Sequence, residues 1–593
     1  MRPLAHKVDG RTVLPGNRNG ISLCAAVRSP HARAFTDAKK RDDGGAPLSI
    51  ADLVVVDANV ITVNTSQPRA QAFAIAHGRI LAVGSDARIR KLIGPATRVL
   101  DLHGKTVTPG FIDCHMHPSA LYPEDAPYAS VPLDPSHVHS MAELIAVLHR
   151  HSLLVPKGYW IRGTRYDDAK LGRHPTRFDL DQASTDHPIS ISHVSGHISV
   201  VNSLALANAG ITKDTPDPAG GAYDRSPDGT PNGVCRESAG VGSGGAPSLK
   251  PDHDARIAGL QRCFEKFLAK GITSASDAAA SPEGLRNYQD LQAAGCPVRI
   301  NVMLMYNYLS NLQNLGLKGP FGSERLRVGT IKFFHGNSFS GRTCWVSKPY
   351  AGRPDYFGIP PATSQQELNE VILNIHRAGF QVAVHSNGDR EISMVLTAFE
   401  NAQKQFPRKD PRFRIEHCSV CTPEILARAK AVGAVLVFHS YMWENGDKLK
   451  DYGEDRYDWL APMARARAMG IHVTSHSDYS VSAADPLLRI QDLVTRRTEA
   501  GDVIGASQCI SVEEAIRVWT LDAAYATFEE NVKGSLVPGK LADFVILGAD
   551  PTRTNPLAIR MIPVEQTYID GRCVWTQTAH PAHGAAQGED SDD

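Results

Sequence analysis

Two histidines separated by one residue, His115 and His117, end the segment Thr108-Pro-Gly-Phe-Ile-Asp-Cys-His-Met-His-Pro118. On a strand, residues two apart project from one face. The two imidazoles would then share a site, and imidazole is a good zinc ligand. The preceding apolar run and Pro-Gly pair set them apart from His137 and His139, a spacing that a chain with 24 histidines produces by coincidence. Coincidence is also the competing reading for His115 and His117. His385, His417 and Asp478 lie at or just beyond the ends of other short apolar runs. Lys332 stands inside Val328-Gly-Thr-Ile-Lys-Phe-Phe334. A lysine in a buried strand needs a partner or altered chemistry, unless its amine snorkels to a loop. Cys418 and Cys421 have C-x-x-C spacing, but a zinc ribbon would require a second such pair.

The elements that must position these groups follow a repeated grammar. Ile257 to Lys270 has helical periodicity and leads through Gly271 into Ile-Thr-Ser-Ala-Ser-Asp277; Glu367 to Ala378 leads through Gly379 into Phe-Gln-Val-Ala-Val-His385. The same happens at Gly433, before Ala-Val-Leu-Val-Phe-His439, and at Gly470, before Ile-His-Val-Thr-Ser-His476. Glycine takes the left-handed conformation that ends a helix, and helix, glycine and buried strand in repetition predict a parallel α/β sheet. Candidate groups at the C-terminal ends of such strands would meet at one mouth of a (β/α)₈ TIM-like barrel. Residues 109–525 exceed the roughly 250 of a typical barrel, so insertions are expected at 119–250 and 335–365, which are full of Pro, Gly and Asp.

Short β-branched runs occur at both chain ends: Ala51 to Asp57, Ala72 to Ile75 and Arg79 to Gly84, then Ala542 to Leu547, Gln566 to Ile569 and Arg572 to Trp575. The turns His77-Gly78 and Asp570-Gly571 separate neighbouring runs. Together, 49–108 and 526–576 predict a small β-sandwich built from both ends of the chain. Residues 1–48 read as a disordered leader, their apolar stretch Ile21 to Val27 being short and broken by Ser22, and 577–593 as a solvated tail.

The chain has 593 residues, enough for two structural units, with Lys+Arg and Asp+Glu equal at 63 each. No global basic field exists to hold nucleic acid or an anionic membrane. No unbroken apolar run approaches the roughly 20 residues that span a bilayer. Ten scattered cysteines suit a reducing compartment, and a cytoplasmic location is expected.

The ordered motifs PGFIDCHMH (109–117), SGHISVVNSLALANAGI (195–211), GVCRE (233–237), GITSASD (271–277), GTIKFF (329–334), VAVHSNGD (382–389), RIEHC (414–418), SHSDYSV (475–481) and GSLVPGKLADFVIL (534–547) resemble the amidohydrolase superfamily, in its amidohydrolase-3 branch of YtcJ-like proteins, over about residues 50 to 576. The resemblance implies a divalent metal centre, zinc in one or two ions. His115, His117, His385, His417 and Asp478 match its ligands, and Lys332 matches a lysine that relatives carboxylate to bridge two ions. It also implies that Asp478 takes a proton from the attacking water and returns it to the leaving nitrogen of a small amide, a general base then acid. His197 and Glu237 would contact substrate, and Asp389 and Glu416 would orient ligand histidines. His335-Gly336 stands where the family has Asp-Gly. The expected activity is hydrolysis of non-peptide C–N bonds in a small molecule, by an enzyme that could form a homodimer. A hydrolytic deaminase on the same barrel and a non-catalytic scaffold remain as alternatives; the residues Gln381-Val-Ala-Val before His385 lack the glutamate typical of such deaminases.

Overall fold

A computed structural model describes residues 50–577 apart from 243, 440 and 441. The expected leader, and all of the expected tail after Gln577, lie outside the described residues. Among the described residues no helix is long and apolar enough to cross a membrane.

The centre is a nearly closed barrel of eight strands: β1 (Phe111–Met116), β2 (Ile272–Ala280), β3 (Arg299–Met305), β4 (Leu326–Phe334), β5 (Gln381–Ser386), β6 (Arg414–His417), β7 (Val435–His439) and β8 (Val473–His476). Each pairs in parallel with the next. Between β8 and β1 the seam is bridged past the strand ends: the Asp478 N–H donates to the His115 carbonyl at 3.2 Å, and the Ser477 hydroxyl to the Asp113 carboxylate at 2.5 Å. Because the strands run the same way, their C-terminal ends collect at one mouth, in register: Phe334 lies beside His385, Ser386 beside His417 and His439 beside His476.

The local reasons match the sequence. The helix Pro423–Val432 starts at Thr422, whose side chain accepts the Ile425 N–H, and stops at Gly433, where φ is 70°. Only glycine adopts that conformation freely, and the chain is thereby turned back into β7. Strands β1, β5, β6, β7 and β8 are buried along their whole length, because they face barrel lumen on one side and helices on the other.

Two further sheets use the chain ends. One has Leu53–Val56 at its heart, between Ala72–Ala76 and Arg98–Asp101. In the other, Phe544–Leu547 pairs antiparallel with Thr106–Pro109, joining residues more than 400 positions apart in sequence. Phe73 of the first sheet meets Phe544 of the second edge-to-face at 5.1 Å, in a shared core with Val55, Val107 and Ile546. Both expected hairpin turns carry positive φ at their two central residues, His77-Gly78 and Asp570-Gly571, as a two-residue type I′ turn requires.

The stretch 119–250, expected only as loop insertion, has an architecture of its own. Six strands, ordered Gly221–Arg225, Pro231–Glu237, Ile198–Val201, Ile189–His193, Ile161–Tyr166 and Val131–Pro132, make a mixed sheet. The helices Met141–Ser152 and Arg177–Ala183 cover a separate core of Leu144, Leu148, Leu180, Ile189 and Ile191. This layer carries His197 and Glu237 to the barrel.

Candidate metal centre

His115, at the end of β1, has both ring nitrogens accounted for by different demands. Its Nδ1 lies 2.5 Å from Glu416 Oε2. Burial alone would raise the Glu416 carboxyl, but the Arg414 charge and the His115 contact hold it well below the usual carboxylate range. Arg414 donates to both Glu416 oxygens, at 2.6 and 2.9 Å, and to the Cys114 carbonyl at 2.9 Å. An ionised Glu416 must accept, so His115 Nδ1 carries the hydrogen and Nε2 presents a lone pair. That lone pair stands 3.4 Å from Asp478 Oδ1. Neither atom has a hydrogen-bond partner, and both residues are buried. Two acceptors facing each other at this distance repel, and a cation between them would satisfy both. The separation is the edge expected between two ligands of a tetrahedral zinc ion with bonds near 2.0–2.1 Å, about 3.4 Å.

Other groups complete the mouth. His117 Nε2 lies 3.3 Å from the same Asp478 oxygen and is one-third exposed. His417 Nδ1 lies 3.9 Å from Asp478 Oδ2 and has no hydrogen-bond partner. His476, which closes β8, has none at either ring nitrogen. Ligand atoms of His115, His417, His476 and Asp478 all lie within 4.8 Å of one another. Burial drives the imidazoles of His385, His417 and His476 well below the usual histidine range, so they are neutral and able to donate electron pairs. His417 and Asp478 both sit at positive φ, 68° and 55°, a conformation rare for such residues and one that gathers at functional sites.

Lys332, on β4, is fully buried, and its amine has no hydrogen-bond partner. The amine does not snorkel out. It lies 4.7 Å from the centre of the Phe334 ring, and burial pushes its pKa down to about 8. His385 packs against His417, ring centres 4.6 Å apart, and against His197 at 4.9 Å. Its Nε2 is 3.3 Å from the Asn337 carbonyl and 3.2 Å from the Asn387 amide. The sequence-derived candidates are thus collected at one mouth, with His385 reaching it through His417 and His197.

His197 enters from the inserted layer. Its Nδ1 lies 2.7 Å from Glu237 Oε2; burial opposes a charge on the ring, but Glu237 raises its pKa. The other Glu237 oxygen accepts from the Ser338 N–H at 3.1 Å and from the Thr343 hydroxyl. One acid therefore ties the insertion to the loop after β4. Glu237 holds a positive φ of 53° in doing so. A cleft of ≈ 420 Å³ opens between these parts, lined by His197, Glu237, Ser199, Phe334, Asn337 and Pro361 among others.

Some positioning groups were not legible. Glu391 accepts four backbone N–H groups, from Asn337 and Trp345 on one oxygen and from Asn387 and Gly388 on the other. It thereby holds the loops after β4 and β5 together, with Gly336 at φ 99° so close that a Cβ would lie 2.3 Å from the carboxylate. This accounts for the glycine of His335-Gly336. His335 is itself buried, with no hydrogen-bond partner on its ring. Asp389, expected beside a ligand histidine, instead accepts the Ser347 N–H at 2.8 Å. Cys418 and Cys421 are both wholly buried, and burial raises the Cys421 thiol well above its ordinary value; both pack in the core.

The donor set fits a divalent metal: neutral imidazoles, one carboxylate, and orphaned buried atoms that converge. Residues 98–575 match the model of the Amidohydrolase family. The chain is 28% identical over 546 residues to the N-substituted formamide deformylase of Arthrobacter pascens, covering 88% of this chain and 97% of that one. It is 26% identical over 541 residues to the YtcJ protein of Bacillus subtilis (strain 168), covering 88% and 98%. A solved structure of an uncharacterized metal-dependent hydrolase from Pyrococcus horikoshii OT3 shares the fold, with a TM-score of 0.66 over 85% of this chain and 99% of its own at 24% identity. The matched span starts in a terminal sheet, takes in every barrel strand end and stops within the last strand, and the resemblance read from the motifs holds: the chain belongs to the Amidohydrolase family.

Proposed function

We propose that the chain is a metal-dependent hydrolase that cleaves the C–N bond of a small N-formyl or N-acyl amide. The observation that carries this reading is the pair of buried acceptors, His115 Nε2 and Asp478 Oδ1, held 3.4 Å apart and neither hydrogen-bonded to another protein group. Similarity to an N-substituted formamide deformylase supports the substrate class.

His115, His117, His417 and Asp478 would hold the first ion, with His385 and Lys332 available to a second. A divalent ion there supplies Lewis-acid polarisation of a carbonyl and lowers the pKa of water from about 15.7 to about 7. The protein does the rest. Glu416 fixes the His115 tautomer through Nδ1. Asp478 takes the proton of the attacking water on its free oxygen and delivers it to the departing nitrogen, which leaves as a neutral amine. His197, locked by Glu237 through Nδ1, keeps Nε2 for the substrate carbonyl oxygen, where negative charge develops. The inserted layer forms one wall of the cleft. The Lys332 amine, lacking a partner, would react as R–NH₂ with CO₂ to give R–NH–COO⁻ and a proton, and the carbamate would supply an anionic ligand for a divalent ion.

Metal-loaded protein incubated with N-substituted formamides, N-acyl amides, lactams and esters tests the proposal. Release of a carboxylic acid with the matching amine is the expected result. Release of ammonia from an amino-substituted ring would instead identify a deaminase, and no turnover with any amide would overturn the reading.

A further inference from the structure

The strand Ile161–Tyr166 of the inserted layer breaks its register at one residue. Thr164 lies opposite Ser192 and Tyr166 opposite His193, so Arg165 is left over as a bulge. Its φ is 70°, a strained conformation for arginine. Bulges re-aim a side chain and gather beside active sites. This one sits at the barrel-mouth end of the layer: the residues that follow Tyr166, Asp167 and Asp168, pair with Lys448 and Arg342, which come after β7 and β4.

Arg165 is half-buried. Its Nε is buried without a hydrogen-bond partner, and among the described residues the guanidinium makes no hydrogen bond or ion pair. Its charge reaches Asp134, whose carboxyl burial would raise but Ser136, His137 and Arg165 hold low. Asp134 is bonded elsewhere, to Ser136 Oγ at 2.5 Å and His137 Nδ1 at 3.1 Å. The charge also reaches Tyr479, the residue after Asp478, where burial raises the hydroxyl and Arg165 opposes the rise. A guanidinium thus stands beside the mouth without a counter-charge, on backbone bent to place it there. Its planar fork of donors matches a carboxylate.

We propose that Arg165 binds a carboxylate carried by the substrate, so that the amides cleaved are N-formyl or N-acyl amino acids and not neutral N-alkyl amides. The inference rests on the hydrolase reading above. In a formamide the charge can sit only on the nitrogen substituent.

The test uses the metal-loaded full chain and three acids of increasing length: N-formylglycine, N-formyl-β-alanine and N-formyl-4-aminobutyrate. Each is compared with the neutral N-alkylformamide of equal chain length. For at least one pair, wild type should favour the acid by roughly 10–100-fold in kcat/KM, the worth of a hydrogen-bonded charge. Arg165→Asn, which tolerates positive φ, should erase that ratio through KM. Arg165→Lys keeps the charge without the fork and should restore part of it. Equal or better turnover of every neutral partner by wild type overturns the proposal, as does an unchanged ratio in Arg165→Asn. Wild-type protein that hydrolyses no amide overturns the hydrolase reading instead. Calorimetric binding of the same pairs then judges Arg165 by itself: tighter binding of an acid, lost in Arg165→Asn, supports the site, and equal binding of acid and neutral partner contradicts it.

Discussion

Among the described residues, two buried clusters bring histidine and acid together at metal-ligand spacing, and they are built in opposite ways. In the inserted layer, Asp167, Asp168 and His193 bring their ligand atoms within 4.8 Å of one another, the same spacing as at the barrel mouth. There, however, cations are already present. Lys448 Nζ lies 3.0 Å from Asp167, and Arg342 pairs with Asp168 at 2.5 Å. His193 is bound on both sides, Nε2 at 2.9 Å from Asp168 and Nδ1 at 2.8 Å from Ser195. At the barrel mouth the His115, His417, His476 and Asp478 atoms face one another without hydrogen bonds. Spacing alone therefore does not identify a metal site. A cluster satisfied by fixed cations is a clamp, here joining the insertion to the loops after β4 and β7, whereas a cluster of facing acceptors needs an ion from outside.

The largest expected effect lies at the mouth. His115→Ala with His117→Ala should abolish bound metal, measured by elemental analysis, and lower activity by at least ~10³-fold, since water loses its lowered pKa; circular dichroism should be unchanged. Full activity in that double variant would end the assignment. Asp478→Asn should reduce turnover by roughly 10²–10⁴-fold, because the amide cannot carry the proton. Glu416→Gln should weaken metal by about 10–100-fold, the loss falling on affinity, since it acts through His115.

The clamp should respond the other way. Lys448→Met leaves a buried Asp167 carboxylate uncompensated and should lower stability by about 3–5 kcal/mol, read by denaturant titration, with metal content unchanged. A metal loss equal to that of Glu416→Gln would erase the distinction between the clusters. A smaller effect follows from pH. Burial alone would raise Asp168, but His193 and Arg342 hold its carboxyl well below the usual range. A depressed folded pKa contributes stability that is present above the unfolded value, about 3.9, and is lost as pH falls below it. Asp168→Asn should therefore flatten part of the acid limb of a stability–pH curve below pH ~4, and an unaltered limb would show that Asp168 carries none of it.

The contrast also explains what could be read from the chain. Strand ends were legible because helix, glycine and buried strand repeat before β2, β5, β7 and β8, and because β1 ends on two histidines of one face. His476 is hidden as the last residue of an apolar run, although its i, i+2 spacing to Asp478 is the same signal that marks His115 and His117. The inserted sheet was hidden by composition: Ile189-Ser-Ile-Ser-His193 alternates buried and half-buried residues, yet it lies among Pro, Gly and Asp that read as loop. Glu391 could not be read at all, since its partners are four backbone N–H groups from two loops brought together only by β4 and β5.

The central claim is that the facing acceptors at the barrel mouth hold a divalent ion that the activity requires. Metal content and amide hydrolysis measured on one preparation, before and after chelation and after adding back zinc, test it directly. The account predicts at least one ion per chain, activity lost with the ion, and recovery of both together. Metal-free protein that hydrolyses its amide substrate at the undiminished rate would contradict it.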